Sequence, residues 1–539
     1  MIRKKAPSFS FLRKNWWIIV WSIFAITGSI LSIWGLMKER SNFPNSLYET
    51  FQMFILHHSF PDEMSWQLQA GRWVIFAAFL WATFRLFFEI IAPQALKNLR
   101  ILVYQNHTVI CGLNKLTISL TEKYKGKQMI VIAEETNKYA ESLKSQGVKL
   151  LIGNFTDDDF WKKAKLEKAS KLYAIIDNDK MNVKIARAAF SYLKNEKREK
   201  TALKCFVLIK DRELKTILEE SDLFKYKTET FDGIPFNITE MGMNYGIATN
   251  IDKILPKVIK TPPEILLIGL SEKTEAALIN LAHCLTMQRE SFRFTIVERN
   301  TRRIRYFQRK YSYLHDFAEI KTVNEIETGK QFDSVLICSD NPVEAIKQAV
   351  ETRYLLGENR KDNNILVVCN EADTLNEVLK NEWEKKNIFI INLFEQIADY
   401  VFELDKNIED RAKETHYFWN TLYKQNKEWD EMPGHFRQSN RNQILDNYLR
   451  IYIARGEKFE DFKNRLISFS DNEKETLAMM EHRRWMLEKF ANGWLLGERN
   501  NDLKRHDCLI QWEKLSEEQQ AKDYDAINLM IKILDNQSK

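Results

Sequence analysis

Near the C-terminus, Glu481, His482, Arg484 and Trp485 fall within about one helical turn. A guanidinium can hold a phosphate through paired hydrogen bonds, and an indole can stack on a flat ring. Trp494, His506 and Trp512 follow downstream. The competing reading is a small-domain core, with the tryptophans packed and Glu481 paired to an arginine. A second group lies far upstream, in VICGLNKLTISL. There Gly112, Asn114 and Thr117 occupy the three glycine positions of a GxGxxG phosphate loop. Gly112 permits the tight turn, but Asn114 puts a side chain where a pyrophosphate approaches the backbone. Glu134 and Glu135 close the next strand, where an acid would hold a ribose hydroxyl. A scaffold that binds no nucleotide is the alternative.

Catalytic arrangements are missing. HExxH spacing, GxSxG, a Walker A loop and a Cys–His constellation do not occur, so no enzyme, catalytic residue or metal site is expected. The six cysteines, Cys111, Cys205, Cys284, Cys338, Cys369 and Cys508, include no CxxC pair. Neither zinc nor a disulfide framework is expected. The thiols read as buried groups facing a reducing cytoplasm.

The elements that must position these residues begin in an unexpected place. The chain has 539 residues, a net charge of +6 and 45% hydrophobic residues. The average is too apolar for a disordered chain and too polar for a many-span transporter. Its apolar residues are concentrated, however. Residues 16–37 (WWIIVWSIFAITGSILSIWGLM) are uncharged and long enough to cross a bilayer as a helix. Residues 73–92 form a second run that carries Arg85 and Glu89 at i,i+4 spacing, where they can pair. Arg3, Lys4, Lys5, Arg13 and Lys14 precede the first run, and Lys97 and Arg100 follow the second. Basic flanks face the cytoplasm, so two spans are expected with both termini inside.

Between the spans, residues 46–63 read as a short amphipathic helix and an irregular turn, the layout of a pore loop. His57, His58, Ser59, Asp62 and Glu63 would line it, and the two acids could form a ring in an oligomer. TVGYG is absent, and no glycine stands between His57 and Asp62. A carbonyl-ring potassium filter is therefore not supported. An exposed loop with ordinary charges is the alternative.

From His107 onward, short apolar strands alternate with amphipathic helices, which implies parallel sheets covered by helices. A second such unit starts near Pro262, with Gly269 the single glycine of its loop and its second strand ending on Glu298. After about Glu403, helices alone are expected.

The first α/β unit resembles the N-terminal lobe of RCK (TrkA-N) domains, which regulate potassium channels and transporters. The resemblance rests on VICGLNKLTISL, LIGNFTDDDFWKKAKLEKA and IIDNDKMNVKIARAA. It implies ligand-contacting roles for Gly112, Asn114, Glu134, Asp177, Asp179 and Asn182. The second unit resembles a degenerate copy. The C-terminal stretch resembles the RyR domain, named for ryanodine receptors, through Glu-His-x-Arg-Trp, Gly-Trp, a basic-His-x-x-Leu stretch and Trp-x-x-Leu-Ser. That resemblance implies Glu481, His482, Arg484, Trp485, Trp494, His506 and Trp512 as candidate ligand residues.

The expected organisation is a pore module at 1–106, an RCK domain at 107–221, a connection at 222–261, a second RCK-like domain at 262–404 and a helical RyR-like domain at 405–539. The expected function is a ligand-gated channel in the cell (inner) membrane, homotetrameric by resemblance, contacting lipid and a small nucleotide and no nucleic acid polymer. NAD, ADP or a nucleotide-derived messenger is the expected ligand, and anti-phage signalling a possible setting. Two rivals stand beside it. One is a membrane-anchored nucleotide sensor that regulates a transporter and has no pore. The other is an oxidoreductase built on the Rossmann domains.

Overall fold

The computed structural model describes residues 9–535, except 41, 56–63, 88–103, 156, 197, 199–200, 256–262, 286–291, 328, 340, 358–362, 372–373, 458–467 and 502. The chain divides into two compact units, Met1–Tyr104 and Gln105–Lys539.

In the first unit, helices α1 (Phe9–Arg40), α2 (Phe43–Phe54) and α3 (Trp66–Leu86) pack together. Glycines permit the close approach. A Cβ on Gly35 would lie 2.6 Å from the Leu68 nitrogen, and one on Gly71 would lie 2.6 Å from the Ser32 nitrogen. Small residues of this kind let apolar helices meet at the backbone. Leu36, Met53, Leu68 and Ile75 fill the seam. The outside is equally apolar: Ile23, Ile26, Ile30, Trp34, Phe51, Trp73, Trp81 and Phe84 are all exposed. A surface of this composition needs lipid or protein around it.

Among the described residues, one segment, Val20–Glu39, is long and apolar enough to cross a membrane. The second expected span, 73–92, starts inside α3, which already begins at Trp66. Its last residues, Glu89 included, lie outside the described residues. So do all five candidate pore residues, His57, His58, Ser59, Asp62 and Glu63.

The second unit contains two six-stranded parallel sheets. The first runs β1 (Thr108–Cys111), β2 (Met129–Ala133), β3 (Lys149–Ile152), β4 (Lys171–Ala174), β5 (Leu203–Leu208) and β6 (Phe231–Phe236). The second runs β7 (Glu264–Ile268), β8 (Phe292–Val297), β9 (Ala318–Val323), β10 (Ser334–Cys338), β11 (Asn364–Cys369) and β12 (Ile388–Asn392). Their spatial orders, β3-β2-β1-β4-β5-β6 and β12-β11-β10-β7-β8-β9, are the same doubly wound topology. The central strands are buried on both faces, which explains their continuous apolar runs.

The stretch 222–261, expected as a connection, is structured. It supplies β6 to the first sheet and then α4 (Ile238–Thr249), which packs on α5 (Leu393–Glu403) of the second domain. Gly242 makes this possible, because a Cβ there would stand 3.2 Å from the Leu393 carbonyl oxygen. In return α5 packs on the first domain, where the Tyr124 hydroxyl donates to the Val401 carbonyl at 3.2 Å.

The expected boundary at 404 falls within continuous helix. α5 runs through a π turn, Leu404–Ile408, into α6 (Glu409–Leu422), since no glycine or proline interrupts residues 393–422. α7 (Gly434–Arg455), α8 (Asp471–Ala491) and α9 (Glu517–Asp535) follow. The C-terminal region is not helical throughout. Two short paired strands, Leu495–Leu496 and Arg505–His506, follow the left-handed Gly493 that ends α8.

Candidate functional site

The glycine loop after β1 is filled by its own side chains. Asn114 caps the next helix, accepting from the Thr117 nitrogen at 3.0 Å, and donates to the Ile175 carbonyl at 2.6 Å. The Thr117 hydroxyl donates to the Gly112 carbonyl at 2.9 Å. Gly112 itself has φ +125°, and a Cβ there would stand 3.1 Å from the Ile175 oxygen. Glu134 is exposed at the end of β2.

Asn182 is fully buried and works as a staple. Its carbonyl accepts from the Ile176 nitrogen at 2.8 Å, and its amide donates to the Ile176 and Leu208 carbonyls at 2.7 and 3.0 Å. Asp179 accepts from the backbone nitrogens of Lys210 and Asp211 at 2.9 and 3.1 Å, and Asp177 pairs with the Lys210 ammonium. These residues join the ends of β4 and β5. Asn182→Ala is expected to destabilise the chain by about 2–3 kcal/mol, because three backbone groups lose partners. The urea midpoint of the purified protein checks this.

The C-terminal candidates separate into two groups on opposite sides of α8. Glu481 is buried between two arginines. Arg484 grips it with Nε at 2.9 Å and Nη2 at 3.0 Å, and Arg450 pairs with the same carboxylate. The remaining nitrogen of Arg484 donates to Glu488 at 2.6 Å and lies 3.4 Å from Asp446. This guanidinium is engaged by carboxylates on every side. Asp446 is pushed up to about 6, chiefly by burial.

On the other side, Trp485 meets the His506 ring edge-on at 4.8 Å, and Trp494 lies 6.3 Å from it. The Lys489 ammonium sits 4.2 Å from the Trp494 centroid and 5.9 Å from that of Trp485. The chain's own lysine therefore occupies the aromatic box. His482 bridges inward, with Nε2 2.8 Å from the Ile510 carbonyl and Nδ1 3.3 Å from Asp523, and Trp512 joins the core. The structure thus separates Arg484 from Trp485.

A cavity of about 420 Å³ lies where both doubly wound domains meet the C-terminal helices. Arg212, Lys215 and Glu240 come from the first domain and its α4 extension, Lys310 and Tyr311 from the second, and His435, Arg437 and Gln438 from the first turn of α7. Cross-domain polar contacts surround it. Lys310 pairs with Glu213 at 3.0 Å, and Arg437 makes a two-pronged pair with Asp232 at 2.9 and 2.8 Å. Arg212 and Lys215 reach Glu240 at 3.1 and 3.0 Å. Burial pushes the Glu240 carboxyl up, but Lys215 and Arg212 outweigh it and hold the group below its usual range. Arg437 and Arg441 stand out in the sequence as part of the polar segment WDEMPGHFRQSNRNQ. The rest of the lining comes from distant segments, which nothing local in the sequence connects.

Behind this cavity, Arg441 grips Glu409 at 2.7 and 3.2 Å, and Lys204 of β5 approaches at 3.5 Å. Burial opposes ionisation of Glu409, yet Arg441 and Lys204 bring it down to about 2. A lowered acid stabilises the fold above its unfolded value, near 4.5, and loses that contribution as pH falls towards 2. The contribution at neutral pH is roughly 3 kcal/mol. The wild-type urea midpoint is expected to fall more steeply than that of Glu409→Gln between pH 5 and pH 3, which a denaturation series measures.

With this geometry in hand, the comparisons define domains first. Residues 108–223 match the TrkA-N domain family and residues 462–537 match the RyR domain family. The residues that match the TrkA-N family thus carry most of the first doubly wound sheet of the second unit. Potassium channel protein 1 of Methanocaldococcus jannaschii is 33% identical over 93 residues, 17% of this chain and 28% of that protein. The match thus spans less than a third of that relative's length. Among solved structures, GsuK bound to ADP is 14% identical with a TM-score of 0.37, covering 73% of this chain and 98% of that one. The GsuK channel bound to NAD is 13% identical with a TM-score of 0.37, covering 73% and 83%.

Proposed function

We propose that this chain is a subunit of a ligand-gated ion channel of the RCK type. The observation that carries this reading is the order of parts in one chain. An apolar helix of membrane-spanning length, packed on a second apolar helix, precedes a TrkA-N domain. In this reading residues 1–106 form the pore module and cross the cell membrane twice, leaving both termini in the cytoplasm. Four copies surround the pore, and residues 107–221 and 262–404 act as paired gating domains, with 405–539 attached to them. The permeant ion is potassium or another cation. The ligand is a nucleotide such as NAD or ADP, or a nucleotide-derived messenger, with phage defence as the biological setting. The ligand gates by binding the open and closed states with different affinity.

Ion flux from liposomes containing the purified chain tests this. A potassium flux whose rate changes on addition of ADP or NAD is expected. Flux that is indifferent to both ligands removes the gating claim. Absence of flux, with cysteines introduced at 56–63 labelled freely from outside, favours the membrane-anchored regulatory subunit.

A further inference from the structure

We infer that the helix Thr301–Lys310 of the second doubly wound domain docks on an anionic phospholipid surface through Arg302, Arg305 and Arg309. The helix reads TRRIRYFQRK and contains no acidic residue. Phe307 is buried in the domain core and anchors its inner side. Successive helical residues turn by about 100°, so Arg302, Arg305 and Arg309 share the opposite side, with Tyr306 beside them. The stripe they form is about 10 Å long. Arg302, Arg303, Arg305 and Arg309 are all exposed, and Tyr306 is 58% exposed.

Elsewhere on the surface, arginines are matched with acids, as Arg293 is with Glu319 and Arg455 with Glu473. Lys310, at the end of this same helix, pairs with Glu213 at 3.0 Å. Among the described residues, the four arginines of the helix make no ion pair and no side-chain hydrogen bond. Arg302 and Arg303 moreover stand in the first turn, at the positive end of the helix dipole, where a cation is unfavourable and an anion is favoured. The fold gains nothing from charge placed there, whereas a bound anion does.

Two observations favour a bilayer as the anion. A guanidinium forks onto phosphate and carboxylate oxygens, which acidic lipid headgroups present as a dense sheet, and a basic helix face with an exposed aromatic at its margin suits such a surface. The first unit carries an apolar helix of membrane-spanning length, so the chain is held where lipid is at high effective concentration. That second point rests on the membrane reading proposed above; the charge match does not.

Co-sedimentation tests the face, with the full chain held in nanodiscs of neutral phosphatidylcholine and mixed with dense vesicles. Binding to vesicles containing phosphatidylserine is expected to exceed binding to phosphatidylcholine vesicles by at least about tenfold, and to weaken as salt is raised. Arg302→Gln, Arg305→Gln and Arg309→Gln combined are expected to weaken it by at least about tenfold. The combined Arg→Lys changes at the same positions keep the charge and are expected to stay within about threefold of wild type. All three positions are exposed, so both variants are expected to keep the wild-type urea midpoint, which verifies that they fold. Equal sedimentation with the two kinds of vesicle overturns the inference, as does wild-type binding by the folded glutamine variant. A single-stranded oligonucleotide that binds the wild type more tightly than the vesicles do, and not the glutamine variant, assigns the face to nucleic acid and also overturns it. Because sedimentation is read and not ion flux, a chain that binds these vesicles without conducting loses the channel reading alone. One that conducts without binding them loses this inference alone.

Discussion

Replacing Glu481 with alanine is expected to cost the C-terminal region about 3–5 kcal/mol, enough to unfold it under mild conditions. Glu481 is 5% exposed, and Arg450, which it faces, is fully buried. Arg484 is bound to it through two nitrogens. Removing the carboxylate leaves two buried guanidinium groups with less than their counter-charge. The cost lies in those abandoned charges more than in the lost attraction. Glu488 still accepts from Arg484 and Asn447 still accepts from Arg450 at 2.7 Å, so the damage centres on the positions Glu481 held. Tryptophan fluorescence during urea unfolding follows it, because Trp485 and Trp512 lie on or against α8. A change below about 1 kcal/mol would contradict the account.

Gly71→Leu is expected to abolish the folded membrane unit. A Cβ at this position already meets the Ser32 backbone nitrogen at 2.6 Å, so α1 and α3 must separate before any larger side chain fits. Gly35→Leu attacks the same seam from the other helix, where the obstacle is the Leu68 backbone. Backbone obstacles cannot rotate away as a side-chain end can, so overpacking here exceeds the usual range of about 1–3 kcal/mol. If the chain conducts as proposed, the expected result in liposomes is loss of ion flux by at least about tenfold, with Gly71→Ala intermediate. Size-exclusion chromatography in detergent should show a changed assembly. Normal flux and assembly in Gly71→Leu would mean that α1 and α3 do not meet at this seam.

Much of the architecture was legible along the chain. Parallel, doubly wound sheets leave continuous apolar runs separated by amphipathic helices, and both sheets announced themselves in this way. β6 was harder to see, because FDGIPF contains a glycine and a proline that read as loop. It lies at the sheet edge, where a proline is tolerated. The break expected near residue 404 was equally misleading. The strands end there, but the helix does not, and helix continuity depends on the absence of breakers and not on domain identity.

The candidate sites were legible only as residue types. Arg484 and Trp485 are neighbours in sequence, and successive residues of a helix point about 100° apart. One therefore enters the carboxylate cluster and the other the aromatic box. Asn114 departs from the glycine pattern, and the structure shows what that side chain does, which is to close the loop on Ile175 and Thr117.

By itself, the sequence determined an apolar N-terminal helix of membrane-spanning length and, after it, two runs of alternating strands and helices that form parallel sheets. These are local properties, set by periodicity and by short spacings. Tertiary structure alone decided that α4 and α5 cross between the two sheets, that the ionised residues of α8 are buried partners of one another, and that Arg212, Lys310 and His435 border one cavity. The crossing helices and the cavity depend on segments roughly a hundred or more residues apart, and the α8 cluster on Arg450, 31 residues before Glu481; packing, not chain proximity, brings them together.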